Sequence, residues 1–239
     1  TKPEIQEENK MWNGKMKALT FSYDDGNMAD GRLIEILDRY GMKGTFNINT
    51  AKLPKEGERV RYPRGEAMIE KYMWSEVVDA YKGHEIASHS LTHPHLERLD
   101  RASCRAEMVT DMINIEALTG HMPVGMAYPY GSYSDMVVDV LSDLGIRYAR
   151  GTWSNHSFDL QSDLLRFRPT CHHNDPDLMA LAKEFIDMKP DEPKIFYVWG
   201  HTYEFDMDHN WDTIERFCSY IAGRDDIFYG TNEEVLLAK

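Results

Sequence analysis

The chain has 239 residues, with 40 Asp and Glu against 27 Lys and Arg, and so a net charge of −13. Its pI is near 5.2 and no basic cluster appears, which argues against a nucleic-acid or anionic-membrane surface. No apolar run reaches membrane-spanning length, and Cys104, Cys171 and Cys218 are too scattered for a disulfide framework or a cysteine metal site.

Residues 1–15 read as a polar N-terminal extension without a signal-peptide core, and 16–239 as one catalytic domain. A cytoplasmic location is expected if the chain is complete, and a secreted one if a leader has been removed. Strand 17–23 runs into Asp24-Asp25-Gly26 and is followed by a helix over Gly31–Tyr40 and a strand over 44–49. Residues 52–72 carry Pro54, Gly57, Pro63 and Gly65, and a connection of that length reads as a binding loop or a disordered stretch. Helix Trp74–Tyr81 and strand 84–88 lead to His89-Ser90-Leu91-Thr92-His93-Pro94. Helix Arg101–Leu118 is capped by Asp100 and buries Met108 and Met112 on one face. Strand 124–128 ends at Pro129-Tyr130-Gly131, then come helix Asp135–Leu144 behind the cap Ser134 and strand 146–150, ending at Arg150. Strand 164–169 precedes His172, His173 and Asp175, which either line the same mouth or form a polar loop. Helix Asp177–Met188 and strand 194–199 lead to His201 and an acidic, aromatic loop over 201–212. In that loop Glu204 reads as a solvated carboxylate, or as a partner for His201. Helix Asp212–Ala222, strand 227–229 and helix Asn232–Leu237 behind Thr231 complete the chain.

Strands and helices alternate without a linker, so one α/β barrel is the simplest architecture. Every chemical motif follows a strand, after 23, 88, 128 and 199, where parallel barrels place their sites. Adjacent carboxylates at a strand end repel unless a cation absorbs their charge. Alternation lets one of the two serve a metal and the other the substrate. Two histidines four apart in a single turn, ended by Pro94, supply the rest of an open two-His, one-carboxylate site.

With both motifs in place the chain resembles the polysaccharide deacetylases, carbohydrate esterase family 4 with the NodB-homology fold. Ser22-Tyr23-Asp24-Asp25-Gly26 is similar to that family's Thr-Phe-Asp-Asp-Gly, and His89-Ser90-Leu91-Thr92-His93 to its His-Ser/Thr-x-x-His. The resemblance implies Asp24 as general base and Asp25, His89 and His93 as metal ligands. Ala127-Tyr128-Pro129-Tyr130-Gly131 resembles the third motif, so Tyr130 inherits the oxyanion-hole N–H, but Ala127 stands where the family has an arginine. Arg150, ending the next strand, is the candidate replacement. The fourth motif is not recognisable, with Trp153 keeping its aromatic part at most. Val198-Trp199-Gly200-His201 resembles the terminal Leu-x-His, making His201 the general acid and predicting an altered acyl pocket around Trp199.

The expectation is therefore a distorted (β/α) barrel of the NodB-homology type, one domain, binding a divalent metal with zinc as first choice. It would remove N-acetyl or O-acetyl groups from a carbohydrate partner. The alternatives are a hydrolase of a small non-sugar amide on the same fold and a metal-dependent sugar-binding protein without turnover.

Overall fold

The computed structural model describes residues 11–239, so residues 1–10 of the expected extension lie outside the described residues. The strands are β1 Lys17–Asp24, β2 Gly44–Ile48, β3 Arg61–Arg64, β4 Ala67–Glu70, β5 Glu85–Ser88, β6 Gly125–Ala127, β7 Tyr148–Arg150, β8 Cys171–His172, β9 Lys194–Gly200 and β10 Ile227–Tyr229. The α-helices are α1 Asp30–Arg39, α2 Val77–Ala80, α3 Arg101–Thr119, α4 Asp135–Asp143, α5 Leu178–Asp187, α6 Thr202–Met207, α7 Trp211–Ile221 and α8 Asn232–Leu236.

All strands but β3 and β4 join one parallel sheet in the order β7, β6, β5, β2, β1, β9, β8. β10 pairs with Lys17–Leu19 of β1, and β2 with Phe21–Asp24, so the two short strands share one flank of the longest. The sheet curls until one segment bridges its edges. Phe167 donates to Ala149 at 3.1 Å beside β7, and His173 donates to Trp199 at 2.9 Å beside β9. The strand expected over 164–169 therefore begins later, because its first residues make a tight turn and its ladder bonds come from Phe167 onward.

β1 is buried along its whole length, and its alternation divides the molecule. Leu19, Phe21 and Tyr23 meet Phe46, Phe196, Phe217 and the inner stripe of α1. Ala18, Thr20, Ser22 and Asp24 point the other way, into the barrel. Small side chains there leave room for Tyr148, Tyr197 and Trp199, while Trp12, Val235 and Leu236 close the lower end. Trp12 donates its indole N–H to Val235 O at 3.0 Å, so the end of the polar extension belongs to this core.

The caps follow the sequence. Asp100 accepts from Ser103 N at 2.8 Å, Ser134 from Val137 N at 3.4 Å, and Thr231 forms a reciprocal pair with Glu234. Two segments expected as loops have regular structure. Residues 61–70, within the stretch expected as a binding loop or disordered, form the antiparallel hairpin β3–β4, whose Tyr62 and Arg64 reach the cavity described below, and 202–207 are helix α6. Both are too short to show a hydrophobic period.

Candidate active site

A cavity of about 680 Å³ opens at the C-terminal end of the sheet, lined by Asp24, Asp25, His89, His93, Tyr130 and His201. The strand ends put these residues there, but the turns aim them. Asp25, Ser90, His93 and Tyr130 all take left-handed backbone conformations, with φ of 75°, 61°, 64° and 59°. Such geometry costs of order 1–3 kcal/mol for a non-glycine residue and persists where the surroundings impose it. Gly26, at φ 57°, has no alternative: a Cβ would come within 2.8 Å of Ile48.

Asp24 and Asp25 face different surroundings. Asp24 points into the barrel, where its Oδ1 accepts from Arg150 Nη2 and, at 2.9 Å, from Asn47 Nδ2. Arg150 is fully buried, donates to Ser22 Oγ at 3.2 Å, and lies 4.7 Å from the Trp199 ring centre. In the β6–β7 register Arg150 is the direct partner of Ala127, so a guanidinium absent from one strand is supplied by its neighbour. Trp199 lies beneath it, not on the cavity wall. Burial works against the charge of Asp24, but Arg150 outweighs it and holds the carboxyl below its usual range, with His89 and His201 assisting.

Asp25 turns toward the histidines. Its Oδ1 is 3.9 Å from His89 Nε2 and 3.8 Å from His93 Nε2. Its Oδ2 accepts from the Tyr203 hydroxyl at 3.3 Å and lies 3.5 Å from Arg64. Its carbonyl accepts from Lys71. His89 Nδ1–H donates to Ala127 O at 2.8 Å, which leaves the Nε2 lone pair facing Asp25. Burial lowers the pKa of both imidazoles, that of His93 to about 4, so both stay neutral. One carboxylate and two neutral imidazole nitrogens, converging with space on the cavity side, fit a divalent metal of the zinc type.

His201 presents Nε2 to Asp25 Oδ2 at 4.0 Å and turns Nδ1 to Glu204 at 3.2 Å. Burial opposes protonation of this ring, yet the Glu204 hydrogen bond and the charge of Asp24 prevail and raise its pKa. Glu204 is thus no solvated loop carboxylate. The first turn of α6 carries it back to His201, and it also meets His172 and His173. Asp175 is drawn away by His156 at 2.7 Å, and Trp153 is 76% exposed outside the cavity.

Asn47, Lys71, Arg64 and Tyr203 escaped the sequence reading. Asn47 had a signal, being a polar residue within the apolar strand Gly44–Ile48 and in register with Asp24. Arg64 arrives on β3, Lys71 just after β4 and Tyr203 on α6, segments that the sequence marked only as a binding loop or disordered stretch and as an acidic, aromatic loop, without singling out these residues.

The polysaccharide deacetylase family profile matches residues 12–149, more than half of the chain. Over 129 residues the chain is 33% identical to a chitin deacetylase of Arthroderma benhamiae, and over 132 residues 31% identical to one of Pestalotiopsis sp.. Those alignments take in 53% and 54% of this chain but only 31% and 38% of those proteins, so the match spans about a third of their length. A family 4 carbohydrate esterase from Streptomyces lividans, solved in complex with acetate, has the same fold at 18% identity. Its TM-score is 0.55, over 91% of this chain and 92% of that one. Since the profile runs through β1, the His89 turn and the Tyr130 turn, and the fold agrees well beyond it, the chain belongs to the polysaccharide deacetylase family.

Proposed function

We propose that the chain hydrolyses acetyl groups, first of all N-acetyl groups, on a carbohydrate polymer, using zinc or a similar divalent ion held by Asp25, His89 and His93. The observation that supports this best is the division between the two carboxylates: Asp25 faces the imidazoles while Asp24, its neighbour, is held ionised by Arg150. When bound, the ion polarises the acetyl oxygen and lowers the pKa of an adjacent water. Asp24 takes a proton from that water as its oxygen adds to the acetyl carbon. The Tyr130 N–H, on a left-handed turn at the cavity wall, stabilises the negative oxygen that develops, a contribution of roughly 3 kcal/mol for such a donor. His201, protonated in its raised-pKa environment, gives its Nε2 proton to the departing nitrogen; the C–N bond breaks and acetate and a free amine remain.

Acetate release from chitooligosaccharides and from O-acetylated xylan tests the reading. Turnover on the former that is lost on chelation is the expected result. Oligosaccharide binding with no acetate released from either would leave a binding protein and refute hydrolysis.

A further inference from the structure

We infer that the carbohydrate this cavity takes is acidic, carrying a carboxylate that Arg64 and Lys52 bind beside the acetylated sugar. Turnover of such a substrate rests on the deacetylase reading; its binding does not. The chain is strongly acidic, at −13, and its sequence holds no basic cluster. Yet three cations, Lys52, Arg64 and Lys71, line the cavity against two carboxylates, and Arg150 already neutralises one of those, Asp24. The fold gathers them from the turn after β2, from β3 and from just beyond β4. A cleft whose charge runs against that of the whole molecule concentrates anions.

The hairpin sorts its cations by face. Val60, Tyr62 and Arg64 alternate toward the cavity. Arg59 and Arg61 do not line it, and each is taken up by a glutamate, Arg59 by Glu76 at 2.7 Å and Arg61 by Glu70 at 2.6 Å. Arg64 is left with far less. Its guanidinium lies 4.3 Å from the centre of the Tyr203 ring, has Asp25 Oδ2 at 3.5 Å, and makes no hydrogen bond among the described residues. What remains is a planar fork of donors, the shape that a carboxylate fits. Lys52 stands at the same cavity, and its ammonium has neither a hydrogen-bond nor an ion-pair partner among the described residues. Lys71 is buried and donates to the Asp25 carbonyl, so it adds charge rather than a contact.

Gly65 holds the hairpin in place. It turns the tip at φ 58°, where a Cβ would come within 2.9 Å of Met207 Cε, so the tip rests directly on α6. Since Arg64 stands beside Asp25, a carboxylate that it receives lies next to the acetyl group, on the same sugar or on its neighbour in the chain. A neutral chain would leave both cations without a partner.

Three N-acetylated oligosaccharide series of equal length should be compared at low salt. Chitooligosaccharides are neutral, hyaluronan oligosaccharides carry a ring carboxylate on each neighbouring sugar, and glycan strands with N-acetylmuramic acid carry a lactyl carboxylate. On one acidic series kcat/KM should exceed the neutral value by about tenfold, as for hydrogen bonds to a charged group, and only there should added NaCl lower it. Which series responds identifies the source of the carboxylate. Lys52→Gln and Arg64→Gln should each cut the acidic-to-neutral ratio severalfold, and Arg64→Lys, with charge but no fork, should restore part of it. Calorimetric binding of the same oligosaccharides reads the preference without turnover, and Lys52→Gln should weaken the acidic series selectively. Equal kcat/KM and equal binding across the three series, or an acidic preference that both glutamine variants leave intact, would overturn the inference. Tighter binding of an acidic series with no acetate released from any would refute hydrolysis alone and leave the acidic ligand standing.

Discussion

Asp24 and Arg150 form a buried ion pair at the candidate site, and the proposed mechanism depends on it. Both are buried, with side chains 3% and 0% exposed. Removing one partner of such a pair strands the other and costs about 3–5 kcal/mol. Arg150 holds the Asp24 carboxyl below its ordinary range near 3.9, so the pair contributes fully at neutral pH and its contribution is lost as pH falls below about 4. Arg150→Ala should therefore raise the acidic limb of the kcat/KM profile, lower turnover and reduce stability, with metal content unchanged. Arg150→Lys restores charge without the planar fork and should recover activity only in part. An unshifted acidic limb in Arg150→Ala would remove Arg150 from the mechanism. Asp24 and Asp25 should also fail differently: Asp24→Asn keeps the metal and loses most turnover, whereas Asp25→Asn loses the metal. Elemental analysis of the two proteins settles their roles, and the reverse pattern would exchange them.

Among the elements, α3 does more than cover the sheet. Its Asp111 accepts from Ser88 Oγ at 2.6 Å and from Thr50 N at 2.9 Å, tying the end of β5, one residue before His89, to the chain just beyond β2. Burial pushes the Asp111 carboxyl up to about 6 against the pull of those donors. An unfolded Asp titrates near 3.9, so between about 4 and about 6 the folded chain holds the extra proton. The contribution of this group is complete below about 4 and is lost as pH rises through about 6. Asp111→Asn cannot titrate. Its stability relative to the parent should rise by roughly 3 kcal/mol between pH 4 and pH 7, read from urea midpoints at the two pH values. A difference that does not change with pH would show that Asp111 is not protonated in the folded chain.

At the scale of the whole molecule the two ends of the barrel have separate duties. The upper end holds the candidate site on strained turns and a short hairpin, while the lower end is an apolar plug of Trp12, Val235 and Leu236 around Ala18. Trp12 is 3% exposed, packs against Ala18, Val235 and Leu236 and does not line the cavity, so Trp12→Ala should cost about 3–5 kcal/mol of stability. Its kcat/KM at temperatures where it remains folded should match the parent. A loss of activity equal to the loss of stability would show instead that the two ends are mechanically linked.

What the sequence by itself determined was whatever is written locally. Alternation along 17–23, the abrupt stop at Asp24-Asp25-Gly26, the His89-x-x-x-His93 turn and the caps Asp100, Ser134 and Thr231 are short-range patterns, and they placed nearly every large element and the strand ends around one cavity. Even Arg150 could be singled out, because a strand-end position limits where a side chain can point. Only the tertiary structure decided which partners meet across the sheet. That Ala127 and Arg150 share a register, that Asn47 sits opposite Asp24, and that Glu204 gathers three histidines all depend on strand pairing and on a helix of six residues. The physical reason is range: periodicity and capping act over one or two turns, whereas register is fixed by packing between segments more than twenty residues apart, which leaves no mark on either segment alone.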